Sequence, residues 1–157
     1  MTVERYNGWL LLAHPHFEDQ WSLLHNKVVR LASKQPETYR SHPTTKRLAT
    51  VEKLIFEVIP SDPAHRLWLQ GNTLGPENRS WRRAKFGQQY RLFFRFDSGA
   101  KIVVFGWMND ENSLRARQSK KDAYVVFQAM VTSGNPPARW DDLLGASSPL
   151  RVRNTEV

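Results

Sequence analysis

Hydrophobic residues recur at two different spacings in the first half of the chain. A short apolar run over residues 8–13, closed by a His-Pro pair, predicts a strand. Hydrophobic residues then return every three or four positions through two longer segments, a spacing typical of amphipathic helices. We predict these helices over residues 16–33 and 44–59, because Pro36 and Pro60 follow them and end the helical pattern.

The spacing changes to alternation in the second half, after a long connection over residues 61–78. A turn sequence at residues 97–99, Asp-Ser-Gly, separates two runs rich in aromatic and β-branched residues and predicts a hairpin. A last helix is predicted over residues 120–132, before a glycine and two prolines, with one further helical turn over 138–145. The strands of this half are predicted over residues 80–86, 90–96 and 101–107.

The predicted order of elements is β-α-α-β-β-β-α, which is typical of an α+β fold. Because most strands follow one another through hairpins, we expect a mainly antiparallel sheet. The two N-terminal helices should pack on one sheet face, and a C-terminal helix should complete the fold. Residues 1–145 are predicted to form a single domain, and residues 146–157 a short, polar and flexible C-terminal tail.

Composition agrees with one globular domain and excludes several classes of protein. The chain has 157 residues, of which 40% are hydrophobic, enough to bury a core. It has no cysteine, which excludes a disulfide scaffold, thiol catalysis and cysteine-ligated metal sites. No apolar run reaches the roughly 20 residues that span a bilayer, and the polar start is unlike a signal peptide. We therefore expect a cytoplasmic protein without a membrane partner.

Positive charge is concentrated in two stretches of the second half. Lysine and arginine total 23 against 15 acidic residues, a formal net charge of +8. The stretch from Arg79 to Arg95 holds six of these cations and the stretch from Ser113 to Lys121 holds four, and neither contains an acid. Such a local excess favours a polyanionic partner: a nucleic acid, an anionic surface or an acidic protein.

Strand alternation places several of these cations on one sheet face. Arg83 and Lys85 lie two residues apart on one predicted strand, and Arg91 and Arg95 alternate on the next. If these strands pair, their cations form one basic field on the face opposite the N-terminal helices. The alternative is a solvated strand face without function, but like charges at sheet spacing repel one another and weaken strand pairing.

The sequence offers little for metal-dependent or cofactor-dependent chemistry. Its five histidines lie in the first half without carboxylates at ligand spacing, and it has no glycine-rich phosphate loop or serine-nucleophile motif. We therefore expect no metal ion and no cofactor. The remaining option is phosphodiester cleavage in which the RNA 2′-hydroxyl is the nucleophile.

Two residues are candidate proton carriers for that reaction. Arginine suits charge stabilisation but cannot act as a base, whereas Lys85 could titrate if neighbouring arginines lower its pKa. Tyr124, beside Lys120 and Lys121, is the second candidate for the same reason. The plainer alternative for Tyr124 is a half-buried helix residue packed on the sheet.

Three stretches carry a resemblance to a known family. The middle one, Gly106-Trp-Met-Asn-Asp-Glu-Asn112 followed by Leu114-Arg115, is long and unusual, and therefore specific. The others are Lys85-Phe-Gly87 with Tyr90-Arg-Leu-Phe-Phe-Arg95, and Lys120-Lys-Asp-Ala-Tyr124 with Val126-Phe127 and Gly134-Asn-Pro-Pro-Ala138. In these stretches the chain resembles the YhaV toxins of bacterial type II toxin–antitoxin systems, within the RelE superfamily.

The resemblance implies a ribonuclease toxin that cuts mRNA, in many family members while bound to the ribosome, and a RelE-like fold. It places catalytic cations at Arg83, Lys85 and Arg91, the superfamily tyrosine at Tyr124, and a further arginine at Arg115 or Arg117. It also implies a PrlF-type antitoxin with an AbrB/MazE-like DNA-binding domain. The other cations of the two basic stretches are expected to bind RNA: Arg82, Arg95, Arg117, Lys120 and Lys121.

The sequence therefore predicts a toxin that is a metal-independent endoribonuclease. Lys85 or Tyr124 would remove the 2′-hydroxyl proton, Arg83 and Arg91 would stabilise the phosphorane, and a cation of residues 115–121 would assist the leaving oxygen. Two alternatives remain open. One is a ParE-like toxin that poisons a topoisomerase and cleaves no RNA, and the other is a basic RNA-binding module without enzymatic activity.

Overall fold

A five-stranded sheet forms the centre of the computed structural model, which describes residues 4–150. Its strands are β1 (Leu10–Ala13), β2 (Arg82–Phe86), β3 (Tyr90–Asp97), β4 (Ile102–Met108) and β5 (Ser148–Pro149). They lie in the order β2-β3-β4-β1-β5. The pair β1–β4 is parallel and the other three pairs are antiparallel, so the sheet is mixed.

Helices flank the sheet on both faces. In the described part of the chain they are α1 (Pro15–Lys34), α2 (Pro43–Lys53), α3 (Ile59–Ser61), α4 (Ala123–Thr132) and α5 (Trp140–Gly145). A π-helical turn, Leu54–Val58, joins α2 directly to the single turn of α3. His14 and His42 cap α1 and α2, because the Nδ1 atom of each accepts a hydrogen bond from a backbone N–H of the first turn.

Strand alternation divides the hydrophobic side chains into two clusters. Leu92 and Phe94 of β3 face the cluster under α1 and α2, whereas Phe93 between them faces the cluster under α4 and α5. Each fully buried side chain of this size stabilises the fold by about 1.5–3 kcal/mol. The molecule is therefore built in three layers, with the sheet between two helical layers.

The predicted order β-α-α-β-β-β-α is observed from β1 to α4 when the single turn of α3 is counted with α2, and α5 lies where one further helical turn is predicted. The structure adds a parallel pairing of β1 with β4 and a fifth strand. Ser148 and Pro149, inside the segment predicted as a flexible tail, pair with β1, and the Leu150 N–H donates to the Leu11 carbonyl at 3.0 Å. Residues 151–157 lie outside the described residues.

None of the helices found between residues 4 and 150 combines the length and apolar character that a membrane-spanning helix needs.

Candidate active site

The pairing of β2 with β3 brings cations of the first basic stretch together. Lys85 lies directly opposite Arg91, and Arg83 lies opposite Phe93. These side chains share the face on which Phe93 stacks on Phe127 of α4, at 4.4 Å between ring centroids. The cations are therefore on the sheet face opposite α1 and α2, next to the start of α4.

Tyr124 joins this group from the first turn of α4. It is 5% exposed, and its hydroxyl accepts a hydrogen bond from Arg91 Nε at 3.2 Å. The guanidinium carbon of Arg115 lies 4.6 Å from the centroid of the Tyr124 ring, and that of Arg91 lies 5.9 Å from it. Two predicted site residues, Arg91 and Arg115, thus meet around the phenol of a third, Tyr124, and exposed Lys85 lies opposite Arg91 on the paired strand.

Asp122 holds Arg115 and Tyr124 in place. This carboxylate is 2% exposed and caps α4 by accepting the Tyr124 N–H at 3.1 Å. Its Oδ1 also accepts from Arg115 Nη1 at 2.8 Å and from the Ala116 N–H at 2.7 Å. A buried carboxylate with three donors is well compensated, so it fixes the arginine and the helix start relative to each other.

Asn109 performs a similar task between the strands and the loop that carries Arg115. Its Oδ1 accepts from the Arg91 N–H at 2.7 Å, and its Nδ2 donates to the carbonyls of Gln89 at 2.9 Å and Ser113 at 2.8 Å. The Gln89 carbonyl accepts from the Arg115 N–H as well, at 2.9 Å. The backbones of Arg91 and Arg115 are therefore tied to each other through one buried amide.

A cleft of about 240 Å³ opens beside Tyr124. Arg115 and Arg117 line it together with Thr73 from the long connection, and Asp122 is the one acid among its described lining residues. Since Asp122 already pairs with Arg115, the cleft presents cations and a phenol to whatever enters it. Such a site suits a phosphate group whose charge increases during reaction.

Arg83 lies on the same strand face as Lys85 but is engaged at the sheet edge. Its Nη2 donates to the Leu69 carbonyl at 3.0 Å and its Nη1 to the Leu67 carbonyl at 3.4 Å. These bonds fix the loop beside β2. No contact between Arg83 and Tyr124 is seen among the described residues.

Arg82 and Arg95 make contacts typical of structural residues. The Arg82 guanidinium lies over the Phe96 ring at 5.5 Å and donates to the Arg79 carbonyl at 2.8 Å. Arg95 lies over the rings of Trp81 and Trp140, at 5.8 and 5.6 Å. Burial, and secondarily the charge of Arg82, lower the pKa of Arg95. Both arginines therefore contribute to packing away from Tyr124.

The last three predicted cations lie on the loop before α4. Arg117, Lys120 and Lys121 are exposed, and Arg117 reaches the cleft.

Between residues 4 and 150, no three histidine, aspartate or glutamate side chains are close enough to hold a metal ion. The His14 and His16 rings stack at 5.3 Å between centroids, and the His14 Nδ1 accepts the His16 N–H.

Two residues of the site, Asp122 and Asn109, are not among those predicted from the sequence. Both occur in stretches that carry the family resemblance. For Asp122 a signal was present, because an aspartate just before an apolar helical segment is a typical N-cap. For Asn109 no local pattern indicates that its amide connects two distant segments.

Comparison with known proteins identifies the family. The sequence profile of a family described as a toxin with endonuclease activity, of a toxin–antitoxin system, matches residues 11–148. The "Ribonuclease toxin YhaV" of Escherichia coli K12 and the "Toxin YhaV" of E. coli O6:H1 are each 45% identical to the chain over 142 residues. This alignment covers 89% of the chain and 92% of each relative. No solved structure matches.

Endonuclease activity argues against both alternatives considered from the sequence, because neither a topoisomerase poison nor a binding module cleaves a nucleic acid. Membership of a toxin–antitoxin system also implies an antitoxin partner. With its cationic cleft and a match over most of its length, the chain belongs to the YhaV family of toxins with endonuclease activity.

Proposed function

We propose that this chain is the ribonuclease toxin of a type II toxin–antitoxin system and that it cleaves mRNA in the cleft beside Tyr124 without a metal ion. The observation that carries the proposal is the convergence of Arg91 and Arg115 on Tyr124, with Lys85 next to Arg91. The name of the K12 relative, a ribonuclease toxin, supports RNA as the substrate.

The proposed reaction is an attack of the RNA on itself. A base removes the 2′-hydroxyl proton, the 2′-oxygen bonds to the adjacent phosphorus, and the bond from phosphorus to the 5′-oxygen breaks. The leaving 5′-oxygen takes up a proton, and a 2′,3′-cyclic phosphate remains. Arg91 and Arg115 stabilise the phosphorane, because permanent guanidinium charges placed in advance need no rearrangement when negative charge develops.

Lys85 and Tyr124 are the proposed proton carriers. The Tyr124 oxygen accepts from Arg91, which has only donors, so its own hydrogen is not used in that contact. Tyr124 also lines the cleft, whereas Lys85 is exposed on β2, opposite Arg91. Arg83 assists from the next position on the same strand face, and Lys120 and Lys121 bind the RNA further from the cut.

Three further assignments belong to this proposal. The order of elements and the helices on both sheet faces support a RelE-like fold. The net charge of +8 supports binding to mRNA and to an acidic antitoxin. The resemblance to YhaV toxins supports ribosome-associated mRNA as the substrate and an antitoxin of PrlF type with an AbrB/MazE-like domain. Each of these partners places the working protein in the cytoplasm.

The proposal is tested by three variants assayed on mRNA with and without ribosomes. Tyr124→Phe removes one oxygen, Lys85→Ala one ammonium group and Arg91→Ala one guanidinium group. Loss of a proton carrier lowers turnover by about 10²–10⁴-fold, and loss of a charge stabiliser by about 10²–10³-fold. RNA affinity should change much less than turnover.

Lys53→Ala is the control, because Lys53 is exposed at the end of α2. Circular dichroism verifies that each variant is folded. Wild-type cleavage by all three site variants would refute the assignment of the active site. A parallel fall in RNA affinity and cleavage would assign these residues to binding alone.

A further inference from the structure

A second basic surface lies on the side of the sheet away from the candidate active site. Residues 27–47, from the second half of α1 to the start of α2, contain one acid, Glu37. They contain six lysines and arginines: Lys27, Arg30, Lys34, Arg40, Lys46 and Arg47. None of these six takes part in the proposed reaction.

Two clefts on this surface lie on either side of the first residues of α2. One, of about 260 Å³, is lined by Arg30, Leu31 and Lys34 of α1. The other, of about 390 Å³, lies between α2 and the β2–β3 hairpin and is lined by Lys46 and Tyr90. We call these two clefts together the α1–α2 groove. Its rim carries exposed cations and its floor carries aliphatic and aromatic side chains.

The groove reaches the back of the candidate active site. Tyr90 and Gly87, which line the groove, belong to the same hairpin as Lys85 and Arg91. The Nη1 atom of Arg91 donates to the Tyr90 carbonyl at 2.9 Å and to that of Gln88 at 3.1 Å. A ligand in the groove would therefore hold the turn that supports Arg91.

The contacts in the groove fit a peptide better than a nucleic acid. The Tyr90 ring is already stacked on Phe86 at 5.5 Å and covered by the Arg47 guanidinium at 4.5 Å, so it is not a free platform for a base. Glu111, beside the groove, pairs with two of the groove's cations, within 2.7 Å of Lys27 Nζ and 3.2 Å of Arg47 Nη2. Among the described lining residues, Arg30, Lys34 and Lys46 remain to pair with the carboxylates of a peptide.

We propose that the α1–α2 groove is a docking site for the antitoxin, which places an acidic segment with interspersed apolar side chains there. Arg30, Lys34 and Lys46 are exposed and well placed to pair with carboxylates of that segment. Leu31, Pro43 and Phe86 accept its apolar side chains. The inference rests on the toxin–antitoxin membership of the chain and not on the chemistry proposed for the cleft.

The test is a triple charge reversal, Arg30→Glu, Lys34→Glu and Lys46→Glu, measured by calorimetry against the antitoxin encoded beside this toxin. The matched control reverses three exposed cations outside the groove: Lys53→Glu, Arg66→Glu and Arg139→Glu. Both proteins change charge equally, so long-range attraction falls equally. The groove variant should lose at least about a hundredfold in affinity, and the control less than about tenfold.

Nuclease activity without antitoxin gives the second measurement. The groove variant should cleave RNA at the wild-type rate and remain toxic when the antitoxin is present. Equal losses of antitoxin affinity in both variants, or wild-type affinity in the groove variant, would overturn the proposal. A fall in RNA cleavage with intact antitoxin binding would instead make the groove an RNA surface. If the wild type cleaved no RNA, the antitoxin affinities of the two variants would still show whether the groove binds the antitoxin.

Discussion

Asn109 connects the two halves of the candidate active site through one buried side chain. Its amide bonds the Arg91 N–H and the carbonyls of Gln89 and Ser113, and the residue is 4% exposed. Groups left without partners in such a place cost about 1–3 kcal/mol each, so the local backbone would move to satisfy them. The position of the Arg91 and Arg115 side chains therefore depends on a residue that touches no substrate.

We expect Asn109→Ala to lower the kcat of RNA cleavage by about ten- to a hundredfold with little change in KM, because a displacement of about 1 Å in a catalytic group has this effect. The control is Asn78→Ala. Asn78 is also 4% exposed and bonds the Leu74 carbonyl at 2.9 Å, but it contacts none of the site cations. Both variants should lose thermal stability, and an equal loss of kcat in both would make Asn109 a merely structural residue.

His14 is a second residue with a definite consequence, this time for stability. Burial, with the neighbouring His16 second, lowers the pKa of His14 to about 4, against an opposing effect of Asp19. The folded protein thus keeps His14 neutral where the unfolded chain, with a pKa near 6.5, binds a proton. Stability is fully present above about pH 6.5 and falls as the pH drops towards 4, by up to about 3 kcal/mol.

Urea unfolding between pH 4 and pH 7.5 measures this loss. His14→Asn keeps a good N-cap for α1 and removes the titrating ring, so its stability should depend less on pH in that window. The difference between the two proteins isolates His14 from the carboxylates that titrate in the same range. Identical pH dependence for both would show that His14 is not held neutral.

The residues of the site differ in how far the sequence could predict them. Lys85 and Arg91 follow from strand alternation within an acid-free stretch, and Tyr124 is a candidate because it lies beside Lys120 and Lys121, which the family resemblance supports. Between Arg115 and Arg117, the choice in this proposal is Arg115, because in the described part of the chain it is the arginine seen to contact both Asp122 and the Tyr124 ring. Neither this choice nor the link through Asn109 can be seen in a pattern, because both depend on how loops distant in sequence meet.

At the scale of elements, β4 shows why one glycine is needed within a strand. A Cβ atom at Gly106 would lie 2.6 Å from the Trp81 ring, which is fully buried and meets Phe127 edge-on at 4.9 Å. The irregular pairing of β3 with β4 falls beside this glycine. The helical layer formed by α4 therefore depends on close approach of Trp81 to the sheet.

We expect Gly106→Ala to destabilise the fold by about 1–3 kcal/mol, because the rigid indole cannot move without displacing Phe127. Thermal unfolding measures the change, and the melting temperature should fall by several degrees. Gly145→Ala is the control, since a Cβ at the end of α5 meets no other atom within 4 Å. Equal melting temperatures for the wild type and Gly106→Ala would contradict the tight packing of Trp81.

Helices and strands with a clear periodicity of hydrophobic residues were predictable from the sequence, and pairings between very short strands were not. The helices and the three central strands have repeated hydrophobic positions that decide which face is buried. β5 has two residues and no period, so its pairing with β1 depends only on where α5 delivers the chain. The parallel pairing of β1 with β4 likewise has no local signal. It depends on the packing of α1 and α2, which separate β1 from the other strands along the sequence.

At the scale of the whole molecule, basic residues are concentrated on two surfaces on opposite sheet faces. One surrounds Tyr124 and is proposed to bind RNA, and the other is the α1–α2 groove. Both surfaces meet at the β2–β3 hairpin, so the antitoxin and the RNA would bind on opposite sides of the same turn. Counting charged residues along the sequence revealed only the first surface. Outside the two acid-free stretches the acidic and basic residues nearly balance, so the total does not indicate the cations of residues 27–47.

The most direct test of the central claim compares an RNA that the toxin cleaves with the same RNA carrying a single 2′-deoxy nucleotide at the cleaved position, both in excess chelator. We expect the unmodified RNA to be cut to a 2′,3′-cyclic phosphate and the deoxy RNA to remain intact at that bond. Cleavage of both at the same rate, or cleavage only after a divalent metal ion is restored, would contradict the account.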